Sequence, residues 1–197
     1  MPSIKDIAFN QGLLPNSYNN TKMDEDIHWG VIDGKLIIAY PPTEQTVKDW
    51  LFNFEFIPMH GYHGGFLTQA LTSVAKVIEI LSSSKETEII FTGYSQGAAV
   101  AQVAYDVLRR MRPKLFAGKT VTVQVYASPR CFVWWRALRK RKFTTIYEYG
   151  NDLVTKVPFF WMGFKKSGNI IHVGPSRSIL IYKIKDHYPQ GYISSCP

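Results

Sequence analysis

Gly93-Tyr94-Ser95-Gln96-Gly97 lies between an apolar run, Glu88-Ile89-Ile90-Phe91-Thr92, and a stretch with helical periodicity. A serine in such a G-x-S-x-G turn has a strained backbone, and glycines two residues either side remove the Cβ atoms that would clash as strand turns into helix. Its hydroxyl is then presented above the sheet as a nucleophile. The helix amino terminus supplies a favourable field for developing negative charge, and the Gln96 backbone N–H is placed to donate to an oxyanion. The chemistry predicted is nucleophilic acyl transfer, with Ser95 attacking a carbonyl carbon.

A nucleophilic serine needs a base, and the base needs an orienting carboxylate. In a strand–elbow–helix fold these follow in chain order Ser, Asp, His. Only His172 and His187 follow Ser95; His28, His60 and His63 precede it. His172 sits within the apolar run Ile170-Ile171-His172-Val173, which reads as a packed or edge strand position. His187, in the loop Lys185-Asp186-His187-Tyr188-Pro189, is the better base. Among the carboxylates, Asp106 falls mid-helix and Glu148 within a strand. Asp152 follows that strand in a loop, where catalytic groups concentrate. Asp152 is therefore the expected acid, with Asp186, the immediate neighbour of His187, as the alternative.

These residues require a scaffold that the sequence also describes. Ile27 to Ile32 and Lys35 to Tyr40 flank Asp33-Gly34, a hairpin turn signal. Leu67, Ala70, Leu71, Val74, Val77, Ile78 and Leu81 mark one face of a helix over 66–81. Glu88 to Thr92 reads as a buried central strand. Gln96 to Arg112 reads as a second helix, stopped by Pro113. Val121, Val123 and Val125 alternate along a further strand, and Thr144 to Tyr149 is another. Ile170 to Val173 and Ile179 to Ile184 are expected to pair across Gly174-Pro175-Ser176-Arg177. The order predicts an α/β fold: a mixed, mostly parallel central sheet flanked by helices.

The chain has 197 residues, 46% hydrophobic and 19% charged, which suits a single globular domain over 1–197 and excludes disorder. The amino terminus lacks the pattern of a secretory signal and no apolar run is long enough to span a membrane, so a cytoplasmic or membrane-peripheral location is expected. Cys131 and Cys196 are too few for a disulfide framework. Net charge is +8, with basic clusters at 109–112, 136–142 and 165–166 that would attract an anionic surface. No nucleic-acid motif accompanies them. No cofactor is implied. His60-x-x-His63 lacks a third metal ligand and reads as loop structure.

Several segments, in order, resemble the class 3 lipases, the fungal triacylglycerol-lipase-like branch of the α/β hydrolases. They are Ile38-Ala39-Tyr40-Pro41-Pro42-Thr43, Val47-Lys48-Asp49-Trp50, His63-Gly64-Gly65-Phe66, Ala127-Ser128-Pro129-Arg130, 151–158 with its Asn-Asp-x-Val-x-x-x-Pro pattern, and Asp186-His187. The resemblance spans roughly residues 31 to 190. It implies an α/β-hydrolase fold, the triad Ser95, Asp152 and His187, and hydrolysis through an acyl-enzyme. Where that family usually has Arg-Gly before its oxyanion residue, this chain has Pro41-Pro42. Proline has no N–H, so the second oxyanion donor beside Gln96 is Thr43 or a later residue, and Thr43 is the choice because its hydroxyl can also donate.

The resemblance makes Val47 to Pro58 a lid. Trp50, Leu51, Phe52, Phe54, Phe56 and Ile57 crowd six large apolar side chains into eight residues, with Trp50, Leu51, Phe54 and Ile57 as the expected substrate contacts. An apolar lid with basic clusters implies a lipid acyl-ester hydrolase, of lipase or phospholipase type, making transient contact with an anionic lipid surface. Two other readings remain. Gly-Tyr-Ser-Gln-Gly is also used by cutinase-like esterases, whose acid and base lie closer together than Asp152 and His187. A non-catalytic membrane-binding module on a lipase fold is the third.

Overall fold

The computed structural model describes residues 22–23, 27–42, 57–139, 141–175 and 182–196. Eleven strands are seen among these residues: β1 (Lys22–Met23), β2 (His28–Ile32), β3 (Lys35–Tyr40), β4 (Pro58–Met59), β5 (Tyr62–His63), β6 (Glu88–Tyr94), β7 (Thr120–Tyr126), β8 (Phe132–Val133), β9 (Thr144–Tyr149), β10 (Phe164–Lys165) and β11 (Asn169–Val173). The helices are α1 (Gly64–Ser83), α2 (Gln96–Met111), α3 (Trp134–Ala137) and α4 (Pro189–Ser195).

A seven-stranded sheet runs in the order β1-β2-β3-β6-β7-β9-β11. The β1–β2 and β2–β3 pairs are antiparallel, and every pair from β3 to β11 is parallel. Asp33 and Gly34 both take positive φ, 51° and 74°, as the two central positions of a type I′ hairpin turn require. Side chains then alternate by the period of two. Leu36, Ile38, Phe91, Val123, Val125 and Ile146 face the main core beneath α1 and α2. Tyr94, Tyr126 and Tyr147 face a second cluster closed by Tyr192 of α4.

Helix α2 lies between the sheet and α1, and its residues from Gln96 to Leu108 are all buried, so it is apolar on nearly every side until its last turn. It ends where Pro113 cannot donate, with Arg109 and Arg110 near the negative end of its dipole.

Two expectations are corrected. Ile170 to Val173 forms β11, which pairs in parallel with β9, and the described part of its expected partner, Ile179 to Ile184, makes no bridge to it. Of that segment Ile179 to Ile181 lie outside the described residues, and Lys183 bridges in parallel to Asp152. The cluster 136–142 is not wholly available to an anionic surface, because Arg136 and Arg141 are 5% and 4% exposed and both pair with the buried Asp106. A small second sheet, β10-β8-β5-β4, has no counterpart in the sequence reading. Its strands have two residues each, too short for periodicity to register. It holds His60-x-x-His63 as the β4–β5 turn. The His63 ring is buried 4.5 Å from Phe66 and 5.5 Å from Phe164, and burial pulls its pKa down to about 4. Cys131 and Cys196 are buried in different clusters. Among the described residues no helix is long and apolar enough to cross a membrane.

Candidate active site

Strand β6 ends at Tyr94 and α2 begins at Gln96, leaving Ser95 alone at the turn with φ 56° and ψ −121°. That conformation is costly for a residue with a Cβ and persists only where its surroundings over-determine it. Here the Ser95 N–H is held by the Tyr126 carbonyl of β7 at 3.0 Å. The flanking glycines are sterically required. A Cβ on Gly93 would sit 2.6 Å from the Gly97 backbone, and one on Gly97 would sit 2.2 Å from the Tyr40 carbonyl oxygen and 2.6 Å from that of Pro41. The start of α2 is thereby pressed against the chain leaving β3. This places the Gln96 backbone, whose N–H has no partner within the helix, beside the loop that leads to Thr43.

Ser95 Oγ lies 2.9 Å from His187 Nε2, and His187 Nδ1 lies 2.9 Å from Asp152 Oδ2. All three side chains are buried: His187 and Asp152 are each 1% exposed and Ser95 is 8%. Residues 92 positions apart in the chain meet because the elbow, the loop after β9 and the 3-10 turn 184–187 converge. Such a row can remove the serine proton through the imidazole while the carboxylate holds the ring's tautomer and stabilises its charged form.

The carboxylate is itself held. Val154 N–H donates to Asp152 Oδ1 at 2.8 Å, Tyr192 O–H donates to Asp152 Oδ2 at 2.6 Å, and Thr155 O–H donates to the Asp152 carbonyl at 2.8 Å. Burial, and then the Asp152 charge, push the Tyr192 phenol well above its ordinary value, so it keeps the proton that it donates to Asp152. The base is also fixed from behind. Tyr94 O–H donates to the His187 carbonyl, and the two rings stack at 5.2 Å with planes 21° apart.

Of the candidates in the sequence, the structure brings together Ser95, Asp152 and His187, with Gln96 adjoining. Asp186 is turned away: its Oδ2 accepts from the Asn151 N–H at 2.7 Å. Asp106 belongs to the arginine cluster. Glu148 is buried between Lys156 and Lys166, with His172 Nδ1 3.6 Å away on the neighbouring edge strand. Thr43, Trp50, Leu51 and Phe54 lie outside the described residues, and Ile57 is 54% exposed at the start of the small sheet. Tyr192 and the role of Tyr94 escape the sequence reading. Tyr94 stands inside the elbow motif, but nothing local shows that its hydroxyl meets a carbonyl 93 residues away.

A model of the class 3 lipase family matches residues 40–162, more than half of the chain and including both Ser95 and Asp152. No curated protein matches. Solved structures do. The triacylglyceride lipase of Rhizomucor miehei superposes with a TM-score of 0.70 at 16% identity, covering 93% of this chain and 90% of that one. Lipase II of Rhizopus niveus gives 0.66 at 20% identity, covering 85% and 77%. A triacylglycerol lipase whose catalytic centre is formed by a serine protease triad gives 0.67 at 16% identity, covering 82% and 73%. These likenesses give the fold, α/β hydrolase with a mostly parallel central sheet, and the sequence match gives the lineage. The chain belongs to the class 3 lipase family and is a carboxylic ester hydrolase.

Proposed function

We propose that this chain is a single-domain lipid hydrolase in which Ser95 is the nucleophile, His187 the general base and Asp152 its orienting acid. The observation that carries the assignment is the continuous row Ser95 Oγ, His187 Nε2, His187 Nδ1, Asp152 Oδ2, with both contacts at 2.9 Å and the serine on a strained elbow. The serine protease triad of a structurally similar triacylglycerol lipase supports the same roles.

In the proposed reaction His187 Nε2 takes the Ser95 proton as Oγ bonds to the carbonyl carbon of the ester. The carbonyl oxygen becomes an oxyanion, met by the Gln96 N–H and by Thr43. The tetrahedral species collapses, the bond to the alcohol oxygen breaks, and His187 returns the proton to that oxygen. Acyl-Ser95 remains. Water then attacks it with His187 again as base, releasing the fatty acid and restoring Ser95. Asp152 supports the imidazolium at both stages.

Trp50, Leu51, Phe54 and Ile57 are assigned to the apolar cover over the acyl chain. The net charge of +8 favours substrate presented on an anionic surface, as in a phospholipid or mixed interface. The decisive experiment is hydrolysis of p-nitrophenyl esters of increasing chain length, with and without anionic vesicles, in the parent and Ser95→Ala. Rates rising with chain length and vesicles, and falling by about four orders of magnitude in the variant, are expected. Activity confined to short soluble esters would replace the lipid reading with an esterase. Full activity in Ser95→Ala would overturn the site.

A further inference from the structure

Phe160 and Trp161 are 63% and 68% exposed on the 3-10 turn Phe160–Met162. Trp161 stacks on Phe159 at 4.5 Å with planes 7° apart, and meets Phe160 edge-on at 5.2 Å. The rings pack on one another yet leave most of two of them in water. The Trp134 N–H of α3 donates to the Gly163 carbonyl at 2.8 Å, which brings a third exposed aromatic residue beside this turn. Large aromatic side chains grouped in water mark an interaction surface rather than a core.

The same turn borders a hollow of about 290 Å³, lined by Phe160, Arg130, Lys156, Lys165, Lys166 and His172. One carboxylate, Glu148, reaches into it. Lys156 and Lys166 both pair with Glu148, whose buried carboxyl, raised by desolvation, is drawn down further by these lysines to about 2. Arg130 is fixed by donating to the Lys156 and Pro158 carbonyls, the latter at 2.8 Å. Four cationic side chains against one carboxylate leave the hollow positive, next to aromatic rings that suit the headgroup level of a bilayer.

We propose that the turn 159–162, Trp134 and the adjoining cationic hollow form a docking face for a bilayer rich in anionic phospholipid, with the rings seated among the headgroups and a lipid phosphate drawn to the hollow. The proposal rests on the reading of this chain as a lipid hydrolase. Charge selects the anionic surface and draws the protein to it; the rings, already exposed and braced against each other, bury apolar area once there. The stretch from Leu153 to Phe159 ties this face directly to the Asp152 loop.

Flotation of the full-length chain with phosphatidylcholine vesicles, with or without phosphatidylserine, tests it. The parent is expected to bind the mixed vesicles at least about tenfold more tightly. Phe160→Ala/Trp161→Ala should lose about tenfold on the mixed vesicles. Lys165→Glu should lose several-fold, more than Arg110→Glu, which makes the same change in net charge at the far end of α2. These residues are exposed, so the variants should fold and keep the parent's hydrolysis of p-nitrophenyl acetate. Parent-like binding by the Phe160/Trp161 variant, or equal loss in Arg110→Glu and Lys165→Glu, overturns the docking face. Binding through this face by a chain that cleaves no ester would leave the face standing and remove the hydrolase reading.

Discussion

The Tyr192 hydroxyl donates to Asp152 Oδ2 at 2.6 Å, the same oxygen that faces His187 Nδ1 at 2.9 Å. A buried carboxylate met by one phenol, one backbone N–H and one imidazole is held in a single orientation. In the proposed triad Tyr192 would act through Asp152 and not on the reacting atoms, which is the part of a positioning residue.

Tyr192→Phe should therefore lower kcat on a soluble ester by about three- to thirtyfold while leaving KM within about twofold. It should also cost about 1–2 kcal/mol of stability, since the carboxylate loses a buried donor. The measurement is steady-state kinetics on the variant, with urea unfolding alongside. An unchanged kcat with reduced stability would show that Val154 and His187 orient Asp152 without the phenol.

Gly97 touches the chain at the end of β3, which presses the start of α2 against the Tyr40 and Pro41 carbonyls. In Gly97→Ala the new Cβ meets two backbone carbonyls, at 2.2 and 2.6 Å, and neither can rotate away as a flexible side chain would. Either α2 shifts or the loop after Tyr40 does. The expected result is a loss of about 3 kcal/mol or more and at least about a hundredfold in kcat/KM. Thermal unfolding and ester kinetics check it, and parent-like values for both would show that the elbow and β3 are less tightly coupled than their spacing implies.

Much of this architecture could be read from the chain because the signals are local. Ser95 stands between an apolar strand and a helix whose periods change within a few residues; chain order then leaves His172 and His187 as bases, and loop placement favours His187 with Asp152 over Asp186. Signals fail where a residue's role is set by something distant. Tyr192 reaches its carboxylate across 40 positions. Gly174-Pro175 suggests a hairpin, whereas β11 takes its five-residue pairing in parallel from Thr145 to Tyr149 of β9, well before it in the chain. Arg136 and Arg141 look like part of a basic run open to an anionic surface, because charge patterning does not say that a buried aspartate lies 30 and 35 positions earlier.

That aspartate makes a third prediction. Asp106 accepts from Tyr62 O–H at 2.8 Å and pairs with Arg136 at 3.4 Å and Arg141 at 2.9 Å, tying α2 to the small sheet. Asp106→Ala leaves two buried guanidinium groups without their carboxylate. A loss of about 3–5 kcal/mol is expected, with kcat on a soluble ester unchanged in whatever protein remains folded. Urea unfolding and active-site titration separate the two effects. A selective fall in kcat at parent stability would mean that the arginine cluster communicates with the triad.

The buried phenols predict how the fold fails in alkali. Burial raises Tyr62, Tyr94 and Tyr192 above the ordinary tyrosine value of 10, and the charges of Asp106 and Asp152 add to it. The folded chain thus keeps protons that the unfolded chain releases. Their contribution is complete below about pH 10 and is lost as pH rises above it, at about 1.4 kcal/mol per pH unit for each phenol. Lys166 works in the other direction. Burial lowers it, against the pull of Glu148, to about 8, so between about 8 and its ordinary 10.5 rising pH favours the folded state. Above that window the phenols decide. Urea midpoints should hold or rise slightly from about pH 8 to about pH 10 and fall steeply by about pH 11, with phenolate absorbance from the buried tyrosines appearing only as the fold is lost. Reversible ionisation of all eleven tyrosines in a chain that stays folded would show that these hydroxyls are not held as the structure places them.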